Sequence, residues 1–292
     1  MKVRIDCFPC FFKQTLIAAR LGTDDEALQT AILKGVTDEI KATDMAKSPA
    51  YSTTFMHRKI RQVLGRDPFK DIKSEYNQAA LLLYPELRER IFRSRDPLWT
   101  ATRIAIAGNI IDFGIFSSVD IAGTVERALN NPMPVDDYSR FRQAVDNHDS
   151  VLYLLDNSGE IVFDRLLIEL LAAMGKKVTA VVKGAPVLND STAYDAVEAG
   201  LTGICKVIDN GSDCIGTILE MTSPDFNRIF GKADFIISKG QGNFETLGFN
   251  GHSHSTDGDK EIFFFLQAKC DVVSKELGLA KGSMLLLKDG IR

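Results

Sequence analysis

Apolar residues in the first third of the chain recur every three or four positions, which is the spacing of amphipathic helices. This pattern predicts helices over residues 11–22, 23–43, 52–64 and 67–91. Thr23 and Glu26 have the spacing of a capping box at the start of the second helix. Because no strand pattern occurs before residue 95, we expect this part of the chain to be helical.

The pattern changes in the second half of the chain. After Pro97 it predicts helices over residues 98–106, 120–129 and 138–148. From Val151 onward, short β-branched runs alternate with helical segments, and the predicted strands are 151–155, 177–182, 205–208, 235–238 and 284–287, with 262–265 as a further candidate. Strands separated by helices favour a parallel sheet that is covered on both faces.

These elements together predict a three-layer α/β/α sandwich with a mostly parallel sheet. We expect a helical N-terminal subdomain over residues 1–97 and an α/β domain over residues 98–292. The boundary rests on the change of hydrophobic pattern alone, because no low-complexity linker and no internal repeat marks it.

Composition excludes several classes of protein. The chain has 292 residues, 45% of them hydrophobic and 25% charged, which is ordinary for a folded globular protein. A net charge of -4 without long runs of like charge argues against nucleic acid and membrane surfaces as partners. The N-terminus is charged before its first apolar run, unlike a signal peptide. Five cysteines, an odd number, favour a reducing compartment, so we expect the cytoplasm; the oligomeric state is left open.

Four of the predicted strands are followed by polar turns that contain glycine. These turns lie at residues 156–159, 183–190, 209–212 and 239–245. A single turn of this kind is most simply a loop or a helix N-cap, because Asn, Asp and Gly are common there. Parallel strands, however, place their carboxyl ends at one edge of a sheet, so we expect the four turns to converge on one cleft.

The residue types in these turns indicate the chemistry of that cleft. Asp156, Asn157 and Asp190 would offer two carboxylates and one amide oxygen, which are hard ligands suited to Mg²⁺ or Mn²⁺. So few protein ligands would leave open positions for a phosphoryl oxygen and a water. The glycine-bearing turns would add backbone N–H donors for the remaining phosphate oxygens.

Six motifs resemble those of the metal-dependent damage-control phosphatases, formerly domain of unknown function 89, and they occur along the chain in the same order as in that family. Four are DNSGE at 156–160, KGAPVLND at 183–190, SKGQGNFE at 238–245 and AKCDVV at 268–273. GNIID at 108–112 and CFPC at 7–10 are similar to the GN-x-x-D motif of that family and to the CxxC of its archaeal and bacterial branch. The resemblance covers essentially the whole chain.

The resemblance implies a divalent metal, Mn²⁺, Mg²⁺, Co²⁺ or Ni²⁺, on Asp156, Asn157 and Asp190. Lys269 would join Asp156 and Asp190 in catalysis by contacting the substrate phosphate. The residues expected to bind substrate are Asn109, Asp112, Ser158, Lys239, Gln241, Gly242, Asn243 and Glu245. Other branches have Asp-Leu-Asn-Tyr-Arg where this chain has residues 241–245, which leaves the identity of the substrate open.

The expected activity is therefore hydrolysis of the phosphate ester of a small metabolite, which the resemblance narrows to a sugar phosphate or a damaged phosphometabolite. The nucleophile is either a water that the metal activates or a carboxylate such as Asp156. Water is favoured because a carboxylate that holds a metal is the poorer nucleophile. We expect the N-terminal helices to close one side of the cleft.

Two other functions are compatible with the sequence. An S-adenosylmethionine-dependent carboxyl methyltransferase is one, although the turn after the first strand has a single glycine, Gly159. A non-enzymatic metal-binding module is the other, with Cys7, Cys10 and a third thiol such as Cys270 as ligands; the first two are equally well explained as a redox pair or a buried structural pair. His252 and His254 are more simply explained as part of an exposed loop than as metal ligands. The alternative to a substrate contact for Lys239 is a surface position beside a turn.

Overall fold

The fold was established from a computed structural model, which describes residues 1–110, 121–248 and 260–290. The helices are α1 (Cys7–Gly22), α2 (Glu26–Lys41), α3 (Pro49–Leu64), α4 (Lys70–Arg93), α5 (Pro97–Ile110), α6 (Ile121–Asn130), α7 (Tyr138–Asn147), α8 (Glu160–Ala173), α9 (Ala193–Glu198), α10 (Pro224–Lys232), α11 (Gly240–Leu247) and α12 (Asp271–Leu277). The strands are β1 (Val135–Asp136), β2 (Ser150–Leu154), β3 (Lys177–Val182), β4 (Lys206–Asp209), β5 (Phe235–Lys239), β6 (Glu261–Gln267) and β7 (Met284–Lys288).

Within these ranges the strands form a single seven-stranded sheet in the order β1-β7-β6-β5-β2-β3-β4. Every neighbouring pair is parallel except β6 and β7, which are antiparallel. The predicted mostly parallel sheet is confirmed, and each predicted strand lies within one residue of its observed bounds except 262–265, which extends two residues further, to Gln267. The two-residue strand β1 was missed because it is too short to produce a hydrophobic pattern.

Alternate residues of the central strands pack into two separate cores, one on each face of the sheet. Val151 and Tyr153 of β2 face a core with α5 and α8, whereas Leu152 and Leu154 face a core with α1, α2 and α3. Because both faces are covered, the consecutive residues Val151 to Leu154 of β2 are all apolar instead of alternating with polar residues. The molecule is therefore a three-layer sandwich, as predicted.

The N-terminal helices contribute to both outer layers of the sandwich. Phe11 of α1, Ile32 of α2 and Ile60 of α3 belong to one core, whereas Leu87 of α4 and Ile104 of α5 belong to the other. The first hundred residues are helical, as predicted, and share both cores with the sheet. The division at residue 97 stays a prediction.

Two helices differ from prediction at their ends for identifiable reasons. Helix α1 begins at Cys7, four residues before the expected start, because Cys7 and Phe11 are one turn apart and both buried. Helix α5 continues to Ile110, four residues beyond the predicted end at residue 106, and passes through Gly108. A Cβ at Gly108 would lie 3.0 Å from the Cβ of Phe163, so glycine here permits close packing of α5 against α8.

The cap of α2 also differs, since the side chain of Asp25 accepts a hydrogen bond from the backbone of Ala27 at 2.8 Å and Thr23 is not the N-cap. Among the helices that the structure describes, none combines the length and the apolar content that a membrane crossing requires.

Candidate active site

The turns after β2 and β3 are joined directly to each other at the carboxyl edge of the sheet. Asn157 and Asp190 form an isolated antiparallel bridge. The backbone N–H of Ser158 donates to the carbonyl of Asn189 at 2.8 Å, and that of Ser191 donates to the carbonyl of Asp156 at 2.7 Å. These bonds bring together Asp156, Asn157 and Asp190, the three predicted metal ligands.

Asp190 presents a buried carboxylate oxygen that has no hydrogen-bond partner in the part of the chain that the structure describes. The residue is 2% exposed, and its Oδ2 has no hydrogen bond to the described residues. The amine of Lys183 is 3.4 Å from this oxygen, which is an ion-pair distance, but it is directed to the carbonyl of Gly216. Burial raises the pKa of Asp190 above its ordinary value, and the charges of Lys183 and Lys73 oppose that rise.

Asp156 is a second buried carboxylate beside the first. Burial raises its pKa well above the ordinary value, and the negative charges of Glu160 and Asp190 raise it further, whereas Lys269 and Lys183 lower it. Two carboxylates that destabilise each other's charged form are stabilised together by a bound cation. With the amide of Asn157 between them, they form a hard donor set that suits Mg²⁺ or Mn²⁺.

The start of α11 approaches Asp156 so closely that only glycine fits there. Gly240 has φ +81°, which favours glycine, and a Cβ at this position would lie 1.8 Å from Oδ2 of Asp156. The first backbone N–H groups of α11 therefore lie beside the carboxylates, and helix N-termini of this kind bind anions.

A cleft of about 530 Å³ opens above these residues. Its floor includes Asp156, Asn157, Asp190, Gln241, Gly242 and Lys269. The opposite wall comes from the first turns of α1 and α3, including Cys7, Cys10, Pro49, Ala50 and Thr53. The N-terminal helices thus form one side of the cleft, and the volume is suited to a small metabolite.

Comparison with known proteins identifies the family. Residues 3–285 match the family model described as the Damage-control phosphatase ARMT1-like domain. A damage-control phosphatase of Pyrococcus horikoshii is 32% identical to this chain over 99% of both proteins. The chain belongs to the damage-control phosphatase family. Relatives with that name support a phosphatase function.

Two further comparisons extend over the full length. An uncharacterised protein of Methanocaldococcus jannaschii is 37% identical to this chain, and the alignment covers 99% of this chain and 96% of that protein. The crystal structure of a DUF89 family protein from Pyrococcus horikoshii superposes with a TM-score of 0.89 at 31% identity, covering 99% of each chain. The fold of this damage-control phosphatase family member is therefore that of a solved relative.

Residues 241–245, at the start of α11, line the cleft through Gln241, Gly242 and Glu245. The backbone N–H of Lys269 donates to Oε1 of Gln241 at 3.0 Å, and Nε2 of Gln241 donates to Oε1 of Glu245 at 2.8 Å. The other carboxylate oxygen of Glu245 accepts a hydrogen bond from the N–H of Ala50 at 3.1 Å. Burial raises the pKa of Glu245 to about 7. The expected substrate turn is thus tied to Lys269 and to the N-terminal wall.

Four of the residues expected to bind substrate lie beneath the cleft instead of on its surface. Lys239 is fully buried, with its amine 2.6 Å from Glu160 and 2.5 Å from Asp164. Asn243 accepts from the hydroxyl of Thr217 at 2.8 Å. The hydrogen bonds of Asn109 and Ser158 are equally internal, to Asp156, Glu160 and the backbone of Gln267 for Asn109, and to Asp195 for Ser158.

The polar groups of these four side chains are hydrogen-bonded within the protein, and their part in substrate binding stays a prediction. Because Lys239 is fully buried, the alternative that it is an exposed residue beside a turn is wrong. Asp112, His252 and His254 lie outside the described residues.

Sequence reasoning missed several charged residues around the site, among them Lys73, Lys183 and the partners of Lys239. The available signal was a charge inside an otherwise apolar segment. Asp164 interrupts the apolar residues of α8, and Lys239 ends the apolar strand β5. Because an unpaired buried charge is costly, each such residue implies a buried partner elsewhere in the chain.

The cysteines form no recognisable metal site in the parts of the chain that the structure describes. Cys7 is buried, Cys10 is exposed and Cys270 is partly buried. No three side chains of His, Cys, Asp or Glu are grouped there so as to hold a metal ion. The site proposed for Mg²⁺ or Mn²⁺ contains only two residues of these four types, Asp156 and Asp190, because its third ligand is the amide of Asn157. The buried structural pair is not seen either, since Cys10 is exposed.

Proposed function

We propose that this protein is a metal-dependent phosphatase that hydrolyses the phosphate ester of a small phosphorylated metabolite. The observation that supports this best is the buried pair Asp156 and Asp190, in which Oδ2 of Asp190 has no hydrogen-bond partner among the described residues. Membership of the damage-control phosphatase family supports the reaction class. A sugar phosphate or a damaged phosphometabolite is the substrate class that we propose.

Asp156, Asn157 and Asp190 would hold the divalent cation, Mn²⁺, Mg²⁺, Co²⁺ or Ni²⁺. When bound, such an ion offsets the charge of the phosphate and lowers the pKa of a water. The protein's own groups would hold the substrate in place. Lys269 is partly exposed on the floor of the cleft and near enough to Asp156 to lower the pKa of that residue, so its amine would neutralise a phosphate oxygen.

The backbone N–H groups at the start of α11, from Gly240 to Gly242, would donate to further phosphate oxygens. The absence of a side chain at Gly240 and Gly242 makes this close approach possible. The organic part of the substrate would extend toward the wall formed by Pro49, Ala50 and Thr53. That wall would then determine which metabolite fits.

A turnover assay tests this function. The purified protein is stripped of metal, and phosphate release is measured from a panel of sugar phosphates with each of the four metals restored. We expect activity only with metal, and a loss of about 100-fold or more in Asp156→Ala, Asp190→Ala and Lys269→Ala, because each removes a group that stabilises charge on the phosphate.

Two exposed residues provide matched controls for the same changes. Asp225→Ala and Lys275→Ala remove a carboxylate and an amine from solvent-exposed side chains, and both should retain wild-type activity. Metal-independent hydrolysis, or wild-type turnover by Asp156→Ala, would show that the proposal is wrong. Methyl transfer from S-adenosylmethionine without phosphate release would instead support the methyltransferase alternative.

A further inference from the structure

A closed ring of four hydrogen bonds includes two of the proposed metal ligands, Asp156 and Asn157. Nδ2 of Asn157 donates to Oδ2 of Asp156 at 2.8 Å and to Oε2 of Glu160 at 3.0 Å. Nδ2 of Asn109 donates to the same two oxygens, at 3.0 Å and 2.9 Å. Each amide therefore bridges the two carboxylates, and each carboxylate oxygen accepts from both amides.

This ring fixes the orientation of both amide groups. An ionised carboxylate accepts hydrogen bonds and donates none, so the NH₂ end of each amide must face Asp156 and Glu160. The oxygen of Asn109 accepts from the backbone N–H of Gln267 at 3.2 Å, which agrees with that orientation. For Asn157, which lines the cleft, the amide oxygen is the end left for a cation.

Glu160 is held in this position from its other side. Its Oε1 is 2.6 Å from the amine of Lys239, which also donates to Asp164 and to the carbonyl of Ala105 at 2.8 Å. Glu160 is 1% exposed and Lys239 is fully buried. A favourable interaction with the helix dipole explains an acidic residue in the first turn of α8, but it does not require burial or these partners. Burying an ion pair is costly, which points to a specific role.

We propose that Glu160, supported by Lys239, is a positioning residue that holds the amide of Asn157 with its oxygen toward the metal. This inference rests on the proposed function, because it concerns the same metal site. Glu160 does not touch the substrate in this account. It acts through Asn157 and, by the same ring, through the carboxylate of Asp156.

The ring requires a side chain that accepts hydrogen bonds at both of its ends. Glutamine has the same shape but one donor end. If its NH₂ faced the two asparagine amides, three donors would meet and Asn157 would be driven to rotate. If its NH₂ faced Lys239, it would meet an ammonium group. The first arrangement turns the amide of Asn157 directly, and the second repels Lys239 and so displaces the side chain that holds the two amides; neither removes a ligand of the metal.

The test measures Mn²⁺ binding by isothermal titration calorimetry on the metal-stripped protein. We expect Glu160→Gln to bind Mn²⁺ about 10- to 100-fold more weakly than wild type, as is usual when a residue that orients a ligand is changed. The matched control is Glu169→Gln, which makes the same change in a paired carboxylate of α8 whose partners are Tyr84, Arg88 and Arg165. This control should bind Mn²⁺ as wild type does.

A double-mutant cycle separates positioning from general structural damage. Because Glu160 acts through Asn157, the effect of Glu160→Gln should largely disappear in an Asn157→Ala background. Additive losses of Mn²⁺ affinity would overturn the inference. If Glu160→Gln does not fold, Glu160→Asp keeps the charge beside Lys239 while withdrawing it from the amides, and the same loss and the same coupling are expected.

The outcomes also distinguish this inference from the proposed function. Wild-type Mn²⁺ affinity in Glu160→Gln, together with loss of binding in Asp156→Ala, overturns the positioning role alone. Mn²⁺ binding that depends on both Asp156 and Glu160, without release of phosphate from any sugar phosphate, overturns the proposed reaction and leaves the positioning role standing. Absence of binding of Mn²⁺, Mg²⁺, Co²⁺ and Ni²⁺ alike in the wild-type protein overturns both.

Discussion

At the scale of single residues, the site is defined by charges that are buried next to one another. Asp156 and Asp190 each have a raised pKa, chiefly because burial disfavours their charged forms. Such an arrangement is unfavourable by itself and becomes favourable when a cation is bound. The same reasoning explains why Glu160, a third carboxylate in this region, is matched by the buried amine of Lys239.

Glu245 gives a prediction about pH at the edge of the cleft. Burial raises its pKa from an ordinary 4.5 to about 7, so the folded protein binds this proton more tightly than the unfolded chain does. Its contribution to stability is therefore complete below pH 4.5 and is lost as the pH rises through 7. Between pH 4 and pH 8, the unfolding free energy of wild type relative to Glu245→Gln should fall by up to roughly 3 kcal/mol.

The measurement is chemical denaturation of both proteins across this pH range in the absence of metal. Glu220→Gln makes the same change at an exposed position and serves as the control. A difference between wild type and Glu245→Gln that does not vary with pH, or that grows as the pH rises, would contradict this account of Glu245.

At the scale of elements, the start of α8 is fixed by a residue from the N-terminal helices. Oδ1 of Asn77, in α4, accepts from the N–H of Gly159 at 2.6 Å, and its Nδ2 donates to Asp195 and Glu198 at 3.0 Å and 2.6 Å. Because Asn77 is fully buried, water cannot replace these partners. Helix α4 therefore holds the turn that carries Asn157 and Glu160.

Asn77→Ala should lower the unfolding free energy by about 2–3 kcal/mol, since it leaves the buried N–H of Gly159 without its partner and removes one of the donors to the buried carboxylate of Asp195. Denaturation in urea would measure the change. The neighbouring Gln78 donates to Glu198 from an exposed position, so Gln78→Ala should change stability by no more than about 0.5 kcal/mol. Equal stabilities of the two variants would refute the role given to Asn77.

The sequence predicted the elements better than it predicted the directions of side chains. Strands β2, β3 and β5 are apolar runs that end in polar turns, and parallel pairing then brings Asp156 close to Asp190 without further information. Whether a residue at a strand end faces the cleft or the interior is decided by contacts that are distant in sequence. The amine of Lys239, for example, is fixed by the carbonyl of Ala105 and by two carboxylates of α8.

Glu160 illustrates why the supporting residues could not be inferred. An acidic residue in the first turn of a helix is common for electrostatic reasons, so its position in the DNSGE motif gives no sign of a second role. Only the folded structure shows that its carboxylate meets Asn109 from α5 and Lys239 from β5.

At the scale of the whole molecule, the cleft lies between the carboxyl edge of the sheet and the N-terminal helices. The sheet supplies Asp156, Asn157 and Asp190, and helices α1 and α3 supply the opposite wall. Since these helices also share the hydrophobic cores of the sheet, the wall is fixed relative to the floor. We propose that the edge of the sheet holds the metal and the phosphate, and that the wall selects the metabolite.

The most direct test of this account is an anomalous difference map from a crystal of the protein soaked in Mn²⁺. We expect a peak within coordination distance of carboxylate oxygens from Asp156 and Asp190 and of the amide oxygen of Asn157, and no such peak in Asp156→Ala. A peak at Cys7, Cys10 and Cys270 instead, or no peak at the carboxylates at saturating Mn²⁺, would contradict it.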